Sequence, residues 1–138
     1  SRTRARQDAI DRVLEVCDLG EVSGRLVGNL SKGFKQRTAL AHALVHDPRV
    51  LILDEPTSGL DPVQLNGFRD IIRSISSGKT IMFSTHAMQE VESICSRVIL
   101  IDRGILIAEG TLEDICGKTG TSGIEEAFLA LVHARGGK

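Results

Sequence analysis

The sequence has few aromatic residues and no long apolar run. Its 138 residues contain four phenylalanines and neither tryptophan nor tyrosine, so few side chains are available to stack on nucleic-acid bases. The 17 basic and 18 acidic residues give a formal net charge of −1, which provides no basic footprint for a phosphate backbone. No apolar stretch approaches the roughly 18 residues that a membrane-spanning helix needs, and no signal-peptide pattern is present. We therefore expect neither nucleic-acid binding nor a membrane span.

Cysteines are also scarce, and their pattern excludes a disulfide framework or a simple metal site. Cys17, Cys95 and Cys116 are odd in number, far apart and outside any C-x-x-C spacing. Such a set predicts free thiols in a reducing compartment. The chain is of single-domain size, but it opens at Ser1 in the middle of a helical pattern. We expect a piece of a longer protein.

Short apolar segments alternate with helical patterns along the chain. Four consecutive apolar residues at 50–53 predict a strand buried on both faces, as in a parallel sheet. Further strands are predicted at 80–84, 97–101 and 105–108, the last two as a hairpin, and helices at 6–18, 35–46, 62–75, 87–95 and 124–134, with a flexible Gly-rich connector at 117–123. This alternation predicts an α/β fold with a mostly parallel sheet flanked by helices.

Polar residues that could carry chemistry stand at the ends of these elements. Asp54 and Glu55 follow the apolar strand at its carboxyl end, where ligands bind in open α/β sheets. Ser31 and Gly33 precede a helix, where a hydroxyl and free N–H groups suit an anion, although ordinary capping by Ser31 explains them as well. His86 follows the second predicted strand.

Taken together, residues 30–37, 50–55, 58–61 and His86 resemble the signature motif, Walker B strand, D-loop and switch histidine of ATP-binding cassette (ABC) ATPases. Residues 84–92 and 102–111 are most similar to bacterial exporters of this family. The resemblance covers nearly the whole chain and implies a P-loop NTPase-type fold. It also implies a helical subdomain with the signature motif at 1–48, the ATPase core at 49–110 and a C-terminal helical extension at 111–138.

The resemblance implies roles in ATP hydrolysis for three of these residues. Asp54 would help to hold Mg²⁺ through water, because that ion keeps most of its hydration shell. Glu55 would position and activate the attacking water. His86 would contact the γ-phosphate. Glu55 and His86 are thus the predicted catalytic residues, Asp54 the predicted metal residue, and ATP and Mg²⁺ the predicted cofactors.

The signature stretch departs from the family pattern at two positions. The resemblance implies that Ser31 and Gly33 cover the γ-phosphate of nucleotide held by a second ATPase domain, with Asp61 crossing the dimer interface. Lys32 replaces the usual first glycine and Phe34 the usual glutamine. Lys32 belongs to the predicted nucleotide-binding stretch, where it either adds positive charge near phosphate or points into water, the orientation that we favour.

No P-loop accompanies these motifs. The pattern G-x-x-x-x-G-K-[ST] fails at Gly78, where Arg73 holds the first glycine position, and at Gly117, where Leu112 holds it. The family's P-loop would lie upstream of Ser1, so we expect an incomplete sheet that lacks the P-loop strand, and a fragment that does not hydrolyse ATP alone. The expected partners are the missing N-terminal half, a second ATPase domain and a membrane-spanning permease subunit, which would place the protein in the cytoplasm at the inner face of the cell membrane.

The function that the resemblance implies is coupling of ATP hydrolysis to export across a membrane. Two alternatives stay open at this point. One is a cytosolic ABC ATPase that acts on nucleic acid or ribosomes, against which the near-neutral charge and the few aromatic residues count. The other is a non-catalytic module that keeps the fold and only pairs with an intact ATPase half. Lys32 and Phe34 leave that possibility open, whereas Glu55 and His86 argue against it.

Overall fold

The structure is a computed structural model that describes residues 2–136. It consists of two compact units, one ending at Ser84 and the other beginning at Thr85. The helices of the described residues are α1 (Arg2–Val16), α2 (Lys32–Leu44), α3 (Pro62–Ile75), α4 (Met88–Ile94), α5 (Leu112–Thr119) and α6 (Ile124–Gly136). The strands are β1 (Val50–Asp54), β2 (Thr80–Ser84), β3 (Val98–Asp102) and β4 (Ile105–Gly110). The predicted α/β class is confirmed.

The first unit combines α1, α2 and α3 with the parallel pair β1 and β2. Helix α3 shows why these residues fold as they do. Asp61 caps its N-terminus, Pro62 occupies the first turn, and four apolar residues at helical spacing are buried along one face. These four residues are Phe68, Ile71, Ile72 and Ile75. With Leu40 and Leu44 of α2 and Leu51 of β1, which are also buried, they form the main part of this unit's core.

The second unit contains α4, the antiparallel pair β3 and β4, α5 and α6. The predicted hairpin is confirmed, and Arg103 and Gly104 turn it with φ values of 50° and 77°, which match the right-handed twist of the flanking strands. Its core joins residues of the hairpin to residues of the three helices, namely Val91, Val98, Leu100, Ile115, Ile124 and Ala127.

Two local predictions are wrong. Residues 50–53 are not buried on both faces, because Leu51 is 3% exposed whereas Ile52 is 73% exposed. One face of the β1–β2 pair therefore meets the core, and nothing within the described residues covers the other. The second error concerns residues 117–123, since α5 continues through Gly117 to Thr119 and ends at Gly120, whose φ of 68° is the left-handed conformation usual after a helix.

The strands form two separate two-stranded sheets, β1–β2 and β3–β4. This arrangement agrees with the expectation of an incomplete sheet. The predicted boundaries at residues 48 and 110 stay predictions. No helix within residues 2–136 is both long enough and apolar enough to cross a membrane.

Candidate functional site

Asp54, Glu55 and Ser84 form a hydrogen-bonded group, which we call the strand-end cluster. Asp54 and Ser84 are register partners at the carboxyl ends of the parallel strands β1 and β2. The Ser84 hydroxyl donates to Asp54 Oδ1 at 2.5 Å. The backbone N–H of Glu55 donates both to the Ser84 carbonyl at 3.1 Å and to Ser84 Oγ at 3.0 Å. The predicted pair of acids is therefore fixed by a serine from the neighbouring strand.

The backbone reverses direction at Glu55. Its φ of 46° lies in the left-handed region, which costs a residue with a side chain roughly 1–2 kcal/mol. The N–H of Ser58 donates to the Glu55 carbonyl at 3.2 Å, and the adjoining Pro56 and Thr57 are buried. Glu55 itself is half-buried, while Asp54 is exposed. The turn leaves the Asp54 carboxylate accessible to solvent and the Glu55 side chain partly screened.

Ser31 is the N-cap residue of α2. Its Oγ accepts a hydrogen bond from the N–H of Phe34 at 3.3 Å, so the ordinary capping interpretation of Ser31 is correct. Ser31 is nevertheless exposed, and a hydroxyl that accepts from one group still carries a hydrogen that it can donate to another. Capping and anion binding are therefore compatible at this residue.

The signature stretch contacts the turn that precedes α3. The Lys32 Nζ lies over Gly59, whose φ of 71° and lack of a Cβ make room for it. Lys32 is exposed, yet its side chain extends along this turn instead of simply into water. Gly33 is buried against the Gln64 side chain, and a Cβ at Gly33 would lie 2.8 Å from Gln64 Cδ. Gln64 Oε1 in turn accepts from the N–H of Asp61, and Asp61 Oδ1 accepts from the N–H of Gln64.

Arg37 of α2 contacts three other residues of the first unit. Its side chain is only 16% exposed, and its guanidinium pairs with the Asp18 carboxylate at 3.1 Å. It also lies 5.5 Å from the centre of the Phe34 ring and close against Gly67 of α3. Nearby, burial raises the pKa of Cys17 to about 11, although the Arg37 charge opposes this shift. The thiol of Cys17 is therefore protonated at neutral pH and acts as an apolar core residue.

His86 belongs to the second unit. It is exposed and stands in the short segment between the end of β2 and the start of α4. The N–H of Ala87 donates to Thr85 Oγ1 at 3.0 Å, which holds the backbone on both sides of the histidine. Within the first unit the structure brings Asp54 and Glu55 together through Ser84, and it links Gly33 to Asp61 through Gln64. His86 belongs to the other unit.

The strand-end cluster suits Mg²⁺ better than it suits a metal that needs an all-protein site. Within residues 2–136 there is no group of three or more His, Cys, Asp or Glu side chains that could hold a metal ion. Mg²⁺ usually takes one or two carboxylates and completes its six ligands with water and substrate phosphate. The exposed Asp54 carboxylate, oriented by Ser84, meets that requirement.

Sequence reasoning missed two residues of this site. Ser84 was predicted only as the end of a strand, because its link to Asp54 depends on the register of two strands that are 30 residues apart. Gln64 was not singled out, although its position three residues after Asp61 is the spacing of a capping box. That spacing was a usable signal for Gln64, whereas none existed for Ser84.

Comparisons with known proteins agree on one family. A family model described as "ABC transporter" matches residues 2–58. The probable multidrug ABC transporter ATP-binding protein YbhF of Escherichia coli (strain K12) is 41% identical over 138 residues, which cover 96% of this chain and 24% of YbhF. The Nod factor export ATP-binding protein I of Neorhizobium galegae is 44% identical over 120 residues, covering 83% of this chain and 35% of that protein.

Comparison with solved structures indicates the same family. A solved structure of the ATP binding subunit of an ABC transporter superposes with a TM-score of 0.77 at 26% identity and covers 94% of this chain and 55% of that subunit. This chain therefore spans between about a quarter and about half of the proteins to which it is similar. On sequence and on fold alike, the chain belongs to the ABC transporter ATPase family.

Proposed function

We propose that this chain supplies the signature, Walker B, D-loop and switch-histidine part of an ATP-hydrolysing domain, and that the whole protein couples ATP hydrolysis to export across a membrane. The observation that carries the proposal is the strand-end cluster, in which a carboxylate pair is oriented at the carboxyl end of a parallel strand. The similarity to a probable multidrug transporter protein and to a Nod factor export protein supports the direction of transport.

In this proposal Asp54 holds Mg²⁺ through water. When bound, Mg²⁺ neutralises charge on the phosphates of ATP and on the phosphoryl group being transferred. The chain's own contribution is orientation, because the Ser84 hydroxyl occupies Asp54 Oδ1 and so restricts rotation of the carboxylate. An exposed carboxylate in a fixed direction binds a hydrated cation with little loss of side-chain freedom.

Glu55 is the residue that orients the attacking water and accepts its proton. It is half-buried and follows Asp54 directly at the end of the strand, where its left-handed backbone ends the extended conformation. His86 contributes by hydrogen bonding to the γ-phosphate. Both roles require the nucleotide to be held by the P-loop of the missing N-terminal half.

The signature stretch acts on nucleotide bound to a second ATPase domain. Ser31 donates its hydroxyl hydrogen to the γ-phosphate, and the N-terminal N–H groups of α2, beginning near Gly33, favour the negative charge. Lys32 adds a positive charge at the same end of the helix. Asp61 lies at the dimer interface, and Gln64 connects it to Gly33 within this chain. ATP then joins the two domains, and hydrolysis releases them.

The remaining partner is a membrane-spanning permease subunit, which would hold the ATPase at the cytoplasmic face of the membrane and choose the transported substrate. The similarity to an ATP binding subunit of an ABC transporter supports this assembly. We expect no nucleic acid among the partners, given the formal net charge of −1.

ATP hydrolysis tests the proposal directly. The chain is mixed with a separately produced N-terminal half that carries a P-loop, at fixed Mg²⁺, and phosphate release is measured. We expect activity from the mixture and none from the chain alone. Glu55→Gln should lower the rate by about 100-fold or more, the usual contribution of a catalytic base, and His86→Ala should also reduce it. Glu125→Gln, at an exposed position of α6, is the matched control and should retain the wild-type rate.

Other outcomes would favour the alternatives. If both halves fold and associate but no ATP is hydrolysed, the chain is a non-catalytic module and the departures at Lys32 and Phe34 matter. If the chain or the mixture binds DNA or RNA with an affinity that falls steeply with salt, the protein acts on nucleic acid. Activity of the chain alone that Glu55→Gln abolishes would overturn the expected need for a P-loop.

A further inference from the structure

Ser84 makes both kinds of hydrogen bond to the two acids of the strand-end cluster. Its hydroxyl donates to the Asp54 carboxylate at 2.5 Å and accepts from the Glu55 N–H at 3.0 Å. The Ser84 carbonyl accepts from the same N–H at 3.1 Å. One hydroxyl therefore connects the side chain of one acid to the backbone of the next, which an alanine at this register position could not do.

The backbone of Glu55 is the part of the cluster that most needs such support. A residue with a Cβ adopts a φ of 46° only where its surroundings enforce it. The two acceptors at Ser84 hold the Glu55 N–H in one direction and so favour this conformation. Hydrogen bonds to charged groups are stronger than those between neutral groups, so the contact to Asp54 adds to the restraint.

We propose that Ser84 is a positioning residue for Mg²⁺-dependent ATP hydrolysis. Its hydroxyl sets the direction of the Asp54 carboxylate toward the cation and the direction in which Glu55 leaves the strand. This inference rests on the proposed function, since it assigns Ser84 to the same site. Ser84 acts through Asp54 and Glu55 and does not itself meet the reacting atoms.

A role in folding alone would have different consequences. Loss of a hydrogen bond that only stabilises β1 against β2 lowers the free energy of unfolding, but it leaves the turnover number and the Mg²⁺ dependence of the folded molecules unchanged. Loss of positioning lowers kcat and weakens Mg²⁺ binding while the Michaelis constant for ATP stays nearly constant, because in this proposal Ser84 acts through Asp54 and Glu55 and not by contact with the nucleotide.

The test compares Ser84→Ala with Ser84→Thr, which keeps the hydroxyl. Ser74→Ala is the control, because the Ser74 hydroxyl donates within α3 to the Ile71 carbonyl at 2.7 Å. The first readout uses the chain alone and requires no turnover. The amide signal of Glu55 is followed by NMR as Mg²⁺ is added, and hydrogen exchange of that amide is measured. We expect Ser84→Ala to weaken Mg²⁺ binding by about tenfold, as loss of outer ligand contacts commonly does, and to accelerate exchange of the Glu55 amide.

The second readout is ATP hydrolysis by the mixture with the P-loop half. Ser84→Ala should lower kcat by about tenfold, in line with a hydrogen bond to a charged group, and should leave the Michaelis constant for ATP within about twofold. Ser84→Thr should recover most of the rate and of the Mg²⁺ affinity, and Ser74→Ala should match the wild type in both.

Two results would overturn the inference on its own. One is that the wild-type mixture hydrolyses ATP and the Ser84→Ala mixture does so at the same rate and with the same Mg²⁺ dependence. The other is equal loss in Ser84→Ala and Ser84→Thr while both keep a folded NMR spectrum. A wild-type mixture that hydrolyses no ATP overturns the proposed function instead. In that case unchanged Mg²⁺ binding in Ser84→Ala would also reject the positioning of Asp54, and weakened binding would support it.

Discussion

The two strand pairs of this chain differ in which residues they bring together. In the parallel pair, Asp54 and Ser84 come from segments separated by 30 residues and meet at one end through a hydrogen bond. In the antiparallel pair, Asp102 and Ile105 are partners across a turn of two residues. A hairpin joins near neighbours, whereas parallel strands need a long connection and place distant residues side by side at their carboxyl ends. The candidate site residues therefore lie at the ends of the parallel pair, whereas the hairpin contributes residues to the core of the second unit.

The two pairs are alike in how they are buried. Leu51 of β1 and Leu100 of β3 are 3% and 6% exposed, whereas their neighbours Ile52 and Ile101 are 73% and 60% exposed. Each sheet thus has one face in a core and one apolar face in solvent. The two pairs differ in how their strands are connected and in which residues meet at the strand ends. The comparison of the two units can be tested in their cores, their helix caps and their charged contacts.

The largest effects on stability are expected in the two cores. Phe68→Ala removes a side chain that is 2% exposed at the centre of the first unit and should lower the free energy of unfolding by about 3–5 kcal/mol. Ile115→Ala, at a residue that is also 2% exposed in the second unit, should cost about 2–5 kcal/mol. Urea unfolding followed by circular dichroism measures both values.

Val63→Ala provides the control for the first core, because Val63 lies on the same helix as Phe68 and is 81% exposed. It should change the free energy of unfolding by no more than about 0.5 kcal/mol. A comparable loss in Val63→Ala and Phe68→Ala would mean that α3 does not use the face described here to build the core of the first unit.

Local signals in the sequence were enough to locate most elements. The bounds predicted for α3 and β2 coincide with those of the structure, because Asp61-Pro62 marks a helix start and an apolar run followed by a polar residue marks a strand end. Thr111 and Asp114 have the spacing of a capping box, with aspartate in place of the usual glutamate or glutamine, and both of its hydrogen bonds are present. Where propensity and spacing suffice, the prediction is confirmed.

Features that depend on distant residues were less predictable. The exposure of Ile52 follows from what covers the sheet and not from its own four-residue apolar run. The extension of α5 to Thr119 follows from tertiary packing and from the Thr119 hydroxyl, which donates to the Ile115 carbonyl at 2.9 Å and so supports a turn that glycine content argued against. The roles of Asp54, Glu55 and His86 in catalysis stay predictions that derive from the family resemblance.

The helix caps provide an intermediate test of the comparison. Asp61 and Thr111 head matching capping boxes on α3 and α5. Asp61→Ala and Thr111→Ala should each lower the free energy of unfolding by about 1 kcal/mol, because each leaves an N–H at the helix start without its acceptor. Thermal unfolding of the chain measures both changes.

Asp61→Asn separates structure from function at this cap. Asparagine is as good a cap as aspartate, so the variant should be nearly as stable as the wild type. If Asp61 also acts at a dimer interface, as proposed, the variant should still lose part of the ATP hydrolysis of the mixture. Thr111→Ser should retain both stability and activity. Full activity in Asp61→Asn would confine Asp61 to capping and count against its proposed role.

The smallest expected effects are changes of stability with pH and with salt. Their salt dependence distinguishes the ion pair of Asp47 from the capping box of Asp114. The Lys79 ammonium, which donates to Asp47 Oδ1 at 2.5 Å, lowers the pKa of Asp47 below its ordinary value of 3.8. In the second unit, the Thr111 N–H and then its hydroxyl lower the pKa of Asp114 from the same ordinary value. A carboxyl group whose pKa is lower in the folded protein contributes stability above its unfolded pKa and loses that contribution as the pH falls through the folded value.

Asp47→Asn and Asp114→Asn should therefore melt below the wild type at pH 7, and the difference should shrink as the pH is lowered beneath about 4. Added salt should reduce the effect of Asp47→Asn, because an exposed ion pair is screened, and should change that of Asp114→Asn much less, since its partner is a backbone N–H. Asp8→Asn, at an exposed position of α1, controls for removal of a carboxylate in general. Equal salt sensitivity of the two variants would show that charge, and not local hydrogen bonding, stabilises the start of α5, and the contrast between the two units would then disappear at this position.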